Sequence, residues 1–291
     1  MIGVPTSAGA HHAGQELAPD ALRAAGLADQ LQEAGLAVTD AGNLAESVFT
    51  PDRKAPAARN LAAVTRVAAA VADSVAKVIA TDRLPLVLGG DCTITIGALA
   101  GLKRCHADGG LIYVDGDADL GVPGDGDSGI LDSMGISHLL GRGAPELAGL
   151  GGRTPLLEAS RLAILGSDPR ETDDAGRAFL ADAGVSFQEA PAFIADPAAA
   201  AARALATVTS ASGRFLVHFD VDVVDSGDLP LGNFPHYGSG VLLGHALAAL
   251  HVLRSHPSFA GLVVTEVNPT HDPAGSELSR LVSGLASALA A

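Results

Sequence analysis

Short apolar runs alternate along the chain with longer segments in which apolar residues recur every three or four positions. The short runs are typical of buried parallel strands, and the longer segments are typical of helices that cover a sheet. The pattern predicts eight strands, at Ile2–Val4, Ala37–Asp40, Leu84–Leu88, Gly110–Val114, Leu162–Leu165, Val185–Gln188, Phe215–Phe219 and Leu262–Val264. The main helices are predicted at Pro19–Ala34, Arg59–Ala80, Asp196–Val208, Gly240–Leu253 and Gly275–Leu289.

This order of elements predicts an α/β fold of three layers (α/β/α), in which a mainly parallel sheet of eight strands lies between helices. The alternation runs over residues 1–291 without a linker, so we expect a single domain. In such folds, ligands bind beyond the carboxyl ends of the strands. Residues that follow the predicted strands are therefore the first candidates for a functional site.

Composition and charge narrow the class of protein. Hydrophobic residues make up 48% of the chain and charged residues only 18%, which favours a large buried core over disorder. The formal net charge of −15 argues against nucleic acid and anionic membranes as partners, and it suits a cationic substrate. No secretory leader or long apolar run is seen, so we expect a cytoplasmic protein whose two cysteines, Cys92 and Cys105, are reduced.

Two acidic clusters follow predicted strands. Asp115, Asp117 and Asp119 come after the run LIYV, and Asp220 and Asp222 come after RFLVHF. Residues two apart on an extended segment point to the same side, so each cluster can direct carboxylates at one ion. Carboxylates packed together repel one another unless a cation neutralises them. Solvated turns are the alternative for either cluster alone, but the repetition at two strand ends favours a metal site.

Eight short segments in a fixed order carry a family resemblance. They are IGVPTSAG, LAPDALRAAGL, DAGNL, LVLGGDCT, YVDGDADL, GSDPRET, HFDVDVVD and TEVNP. With these segments, nearly the whole chain resembles the ureohydrolase superfamily and, within it, the arginases. The resemblance implies the three-layer fold, two Mn²⁺ ions at the carboxyl edge of the sheet, and hydrolysis of a guanidino group by a hydroxide that bridges the metals.

The resemblance also implies a set of metal ligands. Four positions match the aspartate ligands of arginases: Asp115, Asp119, Asp220 and Asp222. The two histidine ligands do not match, because Cys92 stands at one of these positions and Asp117 at the other. A thiolate and a carboxylate are both able to hold a metal, so we expect all six residues to be ligands, with a buried structural cysteine as the alternative for Cys92.

Further positions are assigned by the same resemblance. Glu266 matches a glutamate beside the guanidino group, and Asp132 stands where arginases carry a loop histidine that transfers protons. At the amino-acid end of the substrate, Asp168 and Glu171 match the acidic residues that bind the α-amino group. Ser128 matches a residue that contacts the α-carboxylate. The expected partner is thus a small arginine-like molecule.

Other histidines have weaker assignments. His218 precedes Asp220 in a strand and is predicted to support the site or the core by hydrogen bonding more often than to bind metal. His138 is an alternative proton shuttle, and His236 lies in a segment that faces the substrate in the family. The adjacent pair His11 and His12 is expected in a solvated loop.

The departures from the arginase pattern point to a particular substrate. A cysteine ligand without the loop histidine resembles the arginase-like Nω-hydroxy-L-arginine hydrolases of the D-cycloserine pathway, which release hydroxyurea and L-ornithine. Thiolate and carboxylate ligands make a more anionic centre and a weaker Lewis acid, which suits a substrate less basic than arginine. The alternatives are an ordinary arginase, another guanidino or amidino hydrolase, and an inactive binding protein. A monomer is plausible, because the sequence ends within the last predicted helix.

Overall fold

Seven strands form one sheet in which every neighbouring pair is parallel. The computed structural model describes residues 1–125, 128–209 and 213–290. The strands are β1 (Ile2–Gly3), β2 (Leu86–Leu88), β3 (Gly110–Val114), β4 (Leu162–Ser167), β5 (Ser186–Glu189), β6 (Phe215–Asp220) and β7 (Phe259–Thr265). Their order across the sheet is β1-β2-β7-β6-β3-β4-β5.

The prediction of eight strands is wrong by one among the described residues. The segment Ala37–Asp40 is not a strand, and three of its four residues are exposed. The chain meets β1 only after this segment, where the Gly3 amide donates to the carbonyl of Gly42 and the Leu44 amide donates to the carbonyl of Gly3. These contacts form single bridges rather than a ladder. The edge beside β1 is therefore too irregular to count as an eighth strand.

Helices cover both faces of the sheet. They are α1 (Ala18–Ala24), α2 (Leu27–Glu33), α3 (Leu61–Ile79), α4 (Ile94–Cys105), α5 (Gly135–Leu139), α6 (Pro145–Ala148), α7 (Asp174–Ala183), α8 (Ala190–Ala195), α9 (Pro197–Val208), α10 (Leu243–Arg254) and α11 (Ser276–Leu289). Gly26, with φ of 86°, divides the predicted helix Pro19–Ala34 into α1 and α2. No helix in the described ranges has the length and apolar character needed to cross a bilayer.

Two apolar clusters, one on each face of the sheet, make the core. Along β3, Ile112 and Val114 pack into the cluster beneath α9, α10 and α11, while Leu111 and Tyr113 pack into the cluster beneath α3 and α4. This alternation is the period of two that a strand imposes on its side chains. It confirms the predicted three-layer α/β architecture. The helix α4 is missing from the prediction because it is apolar all round and has no polar face to give a period.

The register of the central strands brings their carboxyl ends together. Val114 of β3 pairs with Phe219 of β6, so the chain reaches Asp115 and Asp220 side by side. Asp220 in turn pairs with Thr265, the last residue of β7. Strand β2 ends four residues before Cys92 on the far side of β7. One edge of the sheet thus collects the residues that follow four strands.

Candidate metal centre

A small cavity of about 90 Å³ lies at the carboxyl ends of β2, β3, β6 and β7. All of the sequence-predicted site residues line it except Ser128 and Asp168; those that do are Cys92, Asp115, Asp117, Asp119, Asp132, Glu171, Asp220, Asp222 and Glu266. A larger groove of about 520 Å³ lies at the amino ends of the strands, but its walls are mostly apolar. The acidic cavity is therefore the candidate functional site, because its wall contains carboxyl and thiol groups that can bind an ion.

Cys92 lies at the centre of the acidic cavity. Its Sγ is 2.7 Å from Oδ2 of Asp220 and 3.7 Å from Oγ1 of Thr265. Its backbone amide donates to Oδ1 of Asp132 over 2.7 Å. Burial raises the pKa of the thiol well above its usual value, and the Asp220 carboxylate raises it further. A thiol in such surroundings ionises only if a positive charge comes close.

Asp220 and Asp222 are held by the turn that follows β6. The Asp222 amide donates to Oδ1 of Asp220 over 2.8 Å, and the Thr265 hydroxyl donates to Oδ2 of Asp220 over 3.0 Å. The Gly116 amide donates to Oδ1 of Asp222 over 3.2 Å. These donors hold both carboxylates at the cavity, although Asp222 lies in a short 3₁₀ turn (Val221–Val223) and not on the extended segment that the Asp-x-Asp argument assumes.

His218 supports the cavity from inside the sheet. Its Nε2 is 3.2 Å from Oδ2 of Asp115, and its Nδ1 is 2.7 Å from Oγ1 of Thr95 on α4. The ring stacks on Tyr113, with centroids 3.8 Å apart and planes 3° from parallel. Burial lowers the pKa of His218 to about 3, so the imidazole is neutral. His218 thus has hydrogen-bonded contacts, and it also belongs to a group with Cys92, Asp115 and Asp220 whose ligand atoms lie within 4.8 Å of one another.

Two cavity residues adopt a left-handed backbone conformation that side chains rarely take. Asp119 has φ of 46° and Glu266 has φ of 61°, and neither is glycine. Asp119 accepts a hydrogen bond through Oδ2 from the Tyr113 hydroxyl. Glu266 accepts one through Oε2 from Nε2 of Gln15, over 2.8 Å. Both residues line the cavity, and strained backbone conformations of this kind occur often at functional sites.

The buried carboxyl groups of the cavity repel one another when ionised, which favours binding of a cation. Burial, followed by repulsion from neighbouring carboxylates, raises the pKa values of Asp115, Asp119, Asp220 and Glu266 well above their usual values. Burial also raises the pKa of Asp117, to about 6. None of the described residues that line the cavity is Lys or Arg. A bound divalent metal ion would supply the missing positive charge, and Mn²⁺ is among the ions that prefer carboxylate ligands.

Asp132, at the position of the arginase loop histidine, begins a short 3₁₀ turn of three residues. Burial and the nearby Asp91 raise the pKa of Asp132 to about 8. One of its oxygens is already occupied by the amide of Cys92. The structure therefore gives Asp132 a contact that fixes the position of the cysteine, a role that the sequence does not suggest.

Two of the predicted substrate-binding residues lie outside the cavity wall. Asp168 is fully buried and forms an ion pair with Nη2 of Arg170 at 2.7 Å. Burial alone would raise its pKa, but hydrogen bonds from Arg170 and the Ser239 hydroxyl hold the pKa of Asp168 well below its usual value. Ser128 directs its Oγ to the amide of Ile130, 3.2 Å away. Any contact of Asp168 with a substrate would have to compete with these partners.

His236 lines the cavity, in agreement with its expected place in a segment that faces the substrate, but the sequence does not predict its contact with Asp168. It is 3% exposed, and its Nδ1 is 3.2 Å from Oδ2 of Asp168. The only signal in the sequence is a histidine within the segment NFPHYGSG, which has no regular period. His236 joins Asp168 and Glu171 in a group whose ligand atoms lie within 4.8 Å of one another.

His11 also lines the cavity, contrary to the expectation of a solvated loop. Its ring packs edge-on against Phe234, with centroids 4.8 Å apart. His12, by contrast, is exposed as expected. His138 is absent from the described cavity wall and directs its Nδ1 to the carbonyl of Met134 at 2.7 Å. The aromatic contact of His11 depends on a residue far along the chain, which the sequence pattern cannot reveal.

Comparisons with known proteins agree with this geometry. The chain is 29% identical to Arginase-1 of Homo sapiens over 291 residues, which cover 97% of the chain and 88% of that protein. It is 27% identical to the arginase of Brevibacillus brevis over 273 residues, which cover 94% and 91% of the two proteins. The crystal structure of arginase from Bacillus subtilis matches with a TM-score of 0.86 at 27% identity, covering 99% of this chain and 96% of that one.

The sequence profile of the arginase family matches residues 1–291, the full length of the chain. The family consists of metal-dependent hydrolases that act on guanidino groups, and buried clusters of potential ligands occupy the expected edge of the sheet. Fold, acidic cavity and comparisons thus agree, and the chain belongs to the arginase family.

Proposed function

We propose that the protein hydrolyses Nω-hydroxy-L-arginine to L-ornithine and hydroxyurea. One observation carries this proposal: the thiol of Cys92 occupies the middle of the carboxylate cluster, with Sγ 2.7 Å from Oδ2 of Asp220. A cysteine there gives the centre an additional negative charge when a metal binds. The preferred substrate should then be one whose guanidino carbon needs less activation than that of arginine.

Six side chains would hold two Mn²⁺ ions: Cys92, Asp115, Asp117, Asp119, Asp220 and Asp222. When bound, such ions lower the pKa of water and stabilise the negative charge that develops during hydrolysis. The donor set fits, because five buried or partly buried carboxylates and a thiol converge on a cavity whose described walls contain no Lys or Arg. His218, neutral and bonded to Asp115, keeps one of these carboxylates in place.

Residues of the chain provide binding and orientation. Glu266 has a buried Oε1 atom for which the described part of the chain offers no hydrogen-bond partner, while its Oε2 is fixed by Gln15. Such an atom suits an N–H donor of a guanidino group. Asp132 holds the backbone of Cys92 and thereby the direction of the thiol. Glu171, with a side chain 42% exposed, lines the cavity and suits the α-amino group of an amino acid.

The hydroxylated substrate is favoured by its chemistry. The guanidinium of arginine stays protonated at biological pH, which makes its carbon poorly electrophilic. A hydroxyl group on the terminal nitrogen withdraws electron density and lowers this basicity. A centre weakened by thiolate and carboxylate ligands is better matched to that substrate than to arginine.

Ordinary arginase is the second candidate. The two relatives and the solved structure described above carry the name arginase, and they align with almost the whole chain. The four aspartates expected in arginases are also present and buried or partly buried in the cavity. The two candidates share the fold and the metals, and they differ in the substrate alone.

A parallel assay separates the two candidates. We expect purified protein loaded with Mn²⁺ to bind about two ions per chain, and to release L-ornithine from Nω-hydroxy-L-arginine at least about tenfold faster than from L-arginine. The measurement is kcat/KM on both substrates, together with metal analysis. Faster turnover of L-arginine would establish ordinary arginase, and absence of metal with no turnover would contradict both candidates.

Substitution of the proposed cysteine ligand tests why Nω-hydroxy-L-arginine should be preferred over L-arginine. The variant Cys92→His restores a neutral ligand, and we expect it to shift the ratio of kcat/KM toward L-arginine by about tenfold or more. Cys105 provides a matched control, since it is exposed and lies outside the cavity, and Cys105→Ser should leave the ratio unchanged. An unchanged ratio in Cys92→His would show that the thiol does not determine the substrate.

A further inference from the structure

The two ring nitrogens of His236 have different surroundings. Nδ1 lies 3.2 Å from Oδ2 of Asp168, whereas Nε2 is buried and has no hydrogen-bond partner among the described residues. His236 is only 3% exposed and lines the acidic cavity. A buried polar atom without a partner is uncommon in folded proteins and calls for an explanation, such as an ion or ligand that occupies the site.

Asp168 determines which nitrogen of His236 carries the hydrogen. The Asp168 carboxylate receives donors from Arg170 and from the Ser239 hydroxyl, and as an ionised carboxylate it can only accept. Nδ1 of His236 must therefore be the N–H that donates to it. In the tautomer whose single hydrogen is on Nδ1, Nε2 carries the lone pair of the ring, and His236 lines the cavity.

The nearest ligand atom to this lone pair belongs to Asp222. Nε2 of His236 is 3.9 Å from Oδ2 of Asp222, and Oδ1 of the same carboxylate is already bonded to the Gly116 amide. The distance is too long for a direct hydrogen bond. Two ligands of one ion, each with a bond of about 2.1 Å, lie about 3 to 4 Å apart. The separation fits two ligands of a shared metal ion.

Gly116 makes room for the imidazole. A Cβ atom at this position would lie 2.6 Å from Nε2 of His236, closer than side chains tolerate. The residue between Asp115 and Asp117 must therefore lack a side chain for the ring to reach the metal cluster. The arrangement carboxylate, histidine and metal is common in proteins, because the carboxylate fixes the tautomer and orientation of the ring.

We propose that His236 is a metal ligand, binding through Nε2 to the ion beside Asp222, with Asp168 as the carboxylate that orients it. This inference rests on the proposed function in that it takes the cavity to hold metal. It returns an imidazole to a centre whose two expected histidine positions are Cys92 and Asp117. It also gives Asp168 a structural partner in place of the α-amino group of a substrate.

Metal binding without substrate tests the inference. Protein freed of metal by a chelator is titrated with Mn²⁺, and bound metal is counted after equilibrium dialysis. For His236→Gln we expect one of about two ions to bind at least about tenfold more weakly, while the other is retained. For Asp168→Asn we expect a smaller loss in the same site. His245→Gln is a matched control, because His245 also has a buried nitrogen without a partner but lies on α10 outside the cavity.

A spectroscopic readout distinguishes a ligand from a substrate contact. Pulsed electron paramagnetic resonance of bound Mn²⁺ detects nitrogen nuclei attached to the ion, and we expect the coupling of the wild type to be lost or reduced in His236→Gln. Unchanged affinity and coupling, with only a raised KM, would overturn the inference and make His236 a substrate-binding residue. If the wild type binds a single ion and His236→Gln loses it, the two-metal function is refuted, but the inference about His236 stands. If the wild type binds no ion, both the function and the inference are overturned.

Discussion

Replacing Asp220 with asparagine is expected to abolish hydrolysis, lowering kcat/KM by more than about 100-fold. Both oxygens of Asp220 are engaged at the centre of the cavity, where Oδ2 faces Cys92 and Thr265, and Oδ1 accepts the amide of Asp222. Loss of contacts that merely orient a metal ligand already costs about 10- to 100-fold. The variant should also retain less Mn²⁺ after dialysis.

The same substitution should stabilise the metal-free protein or leave its stability unchanged, because it removes a buried carboxylate that repels its neighbours. Loss of activity with a preserved or raised melting temperature would separate a role in the centre from simple misfolding. Asp73→Asn is the control, since Asp73 is exposed and paired only with Arg104 at the surface. Full activity in Asp220→Asn would exclude Asp220 as a metal ligand.

The metal-free protein is expected to lose stability as the pH rises from about 4 to about 8. Burial raises the folded-state pKa of Asp117 from 3.8 to about 6 and that of Asp132 from 3.8 to about 8. The folded state then holds protons that the unfolded state has released, so its stabilisation is complete below the unfolded pKa and disappears as the pH passes the folded pKa. Asp117 alone accounts for about 2 kcal/mol after allowance for its partial exposure.

Thermal unfolding at several pH values, with and without Mn²⁺, measures this effect. We expect the melting temperature of the metal-free protein to fall with rising pH, and saturating Mn²⁺ to remove most of that fall by stabilising the ionised carboxylates. Asp117→Asn should flatten the pH dependence in the absence of metal. A metal-free protein that is as stable at pH 8 as at pH 5 would contradict the electrostatic account of the cavity.

Much of the fold follows from local pattern. The seven strands coincide with seven of the eight predicted runs, because most of them are short apolar runs. The predicted strand Ala37–Asp40 fails because edge pairing depends on the partner strand, which the sequence of the segment does not show. Helix α4 escapes prediction for a related reason, since burial on all sides leaves no periodic polar face.

The features of the site also fall into those that the sequence predicts and those that it does not. The carboxylates are predictable from the Asp-x-Asp spacing at strand ends, because parallel strands place these ends at one edge. The partners of Asp168 are not predictable from the sequence, because Arg170 and Ser239 contact it only in the folded loops. The unpaired nitrogen of His236 is equally hidden, because it depends on the tautomer that Asp168 selects and on the space above Gly116.

The position of β7 in the sheet has a consequence for assembly of the protein. β7 is the last strand to be synthesised, yet it lies between β2 and β6 and, within the described sheet, is the one strand that joins the pair β1-β2 to the group β3 to β6. Cys92 follows a strand of the first group, whereas Asp115 and Asp220 belong to the second. A nascent chain that lacks β7 therefore has two separate half-sheets, with the thiol on one and the carboxylates on the other. The metal centre would thus form only when β7 pairs with both half-sheets, late in folding.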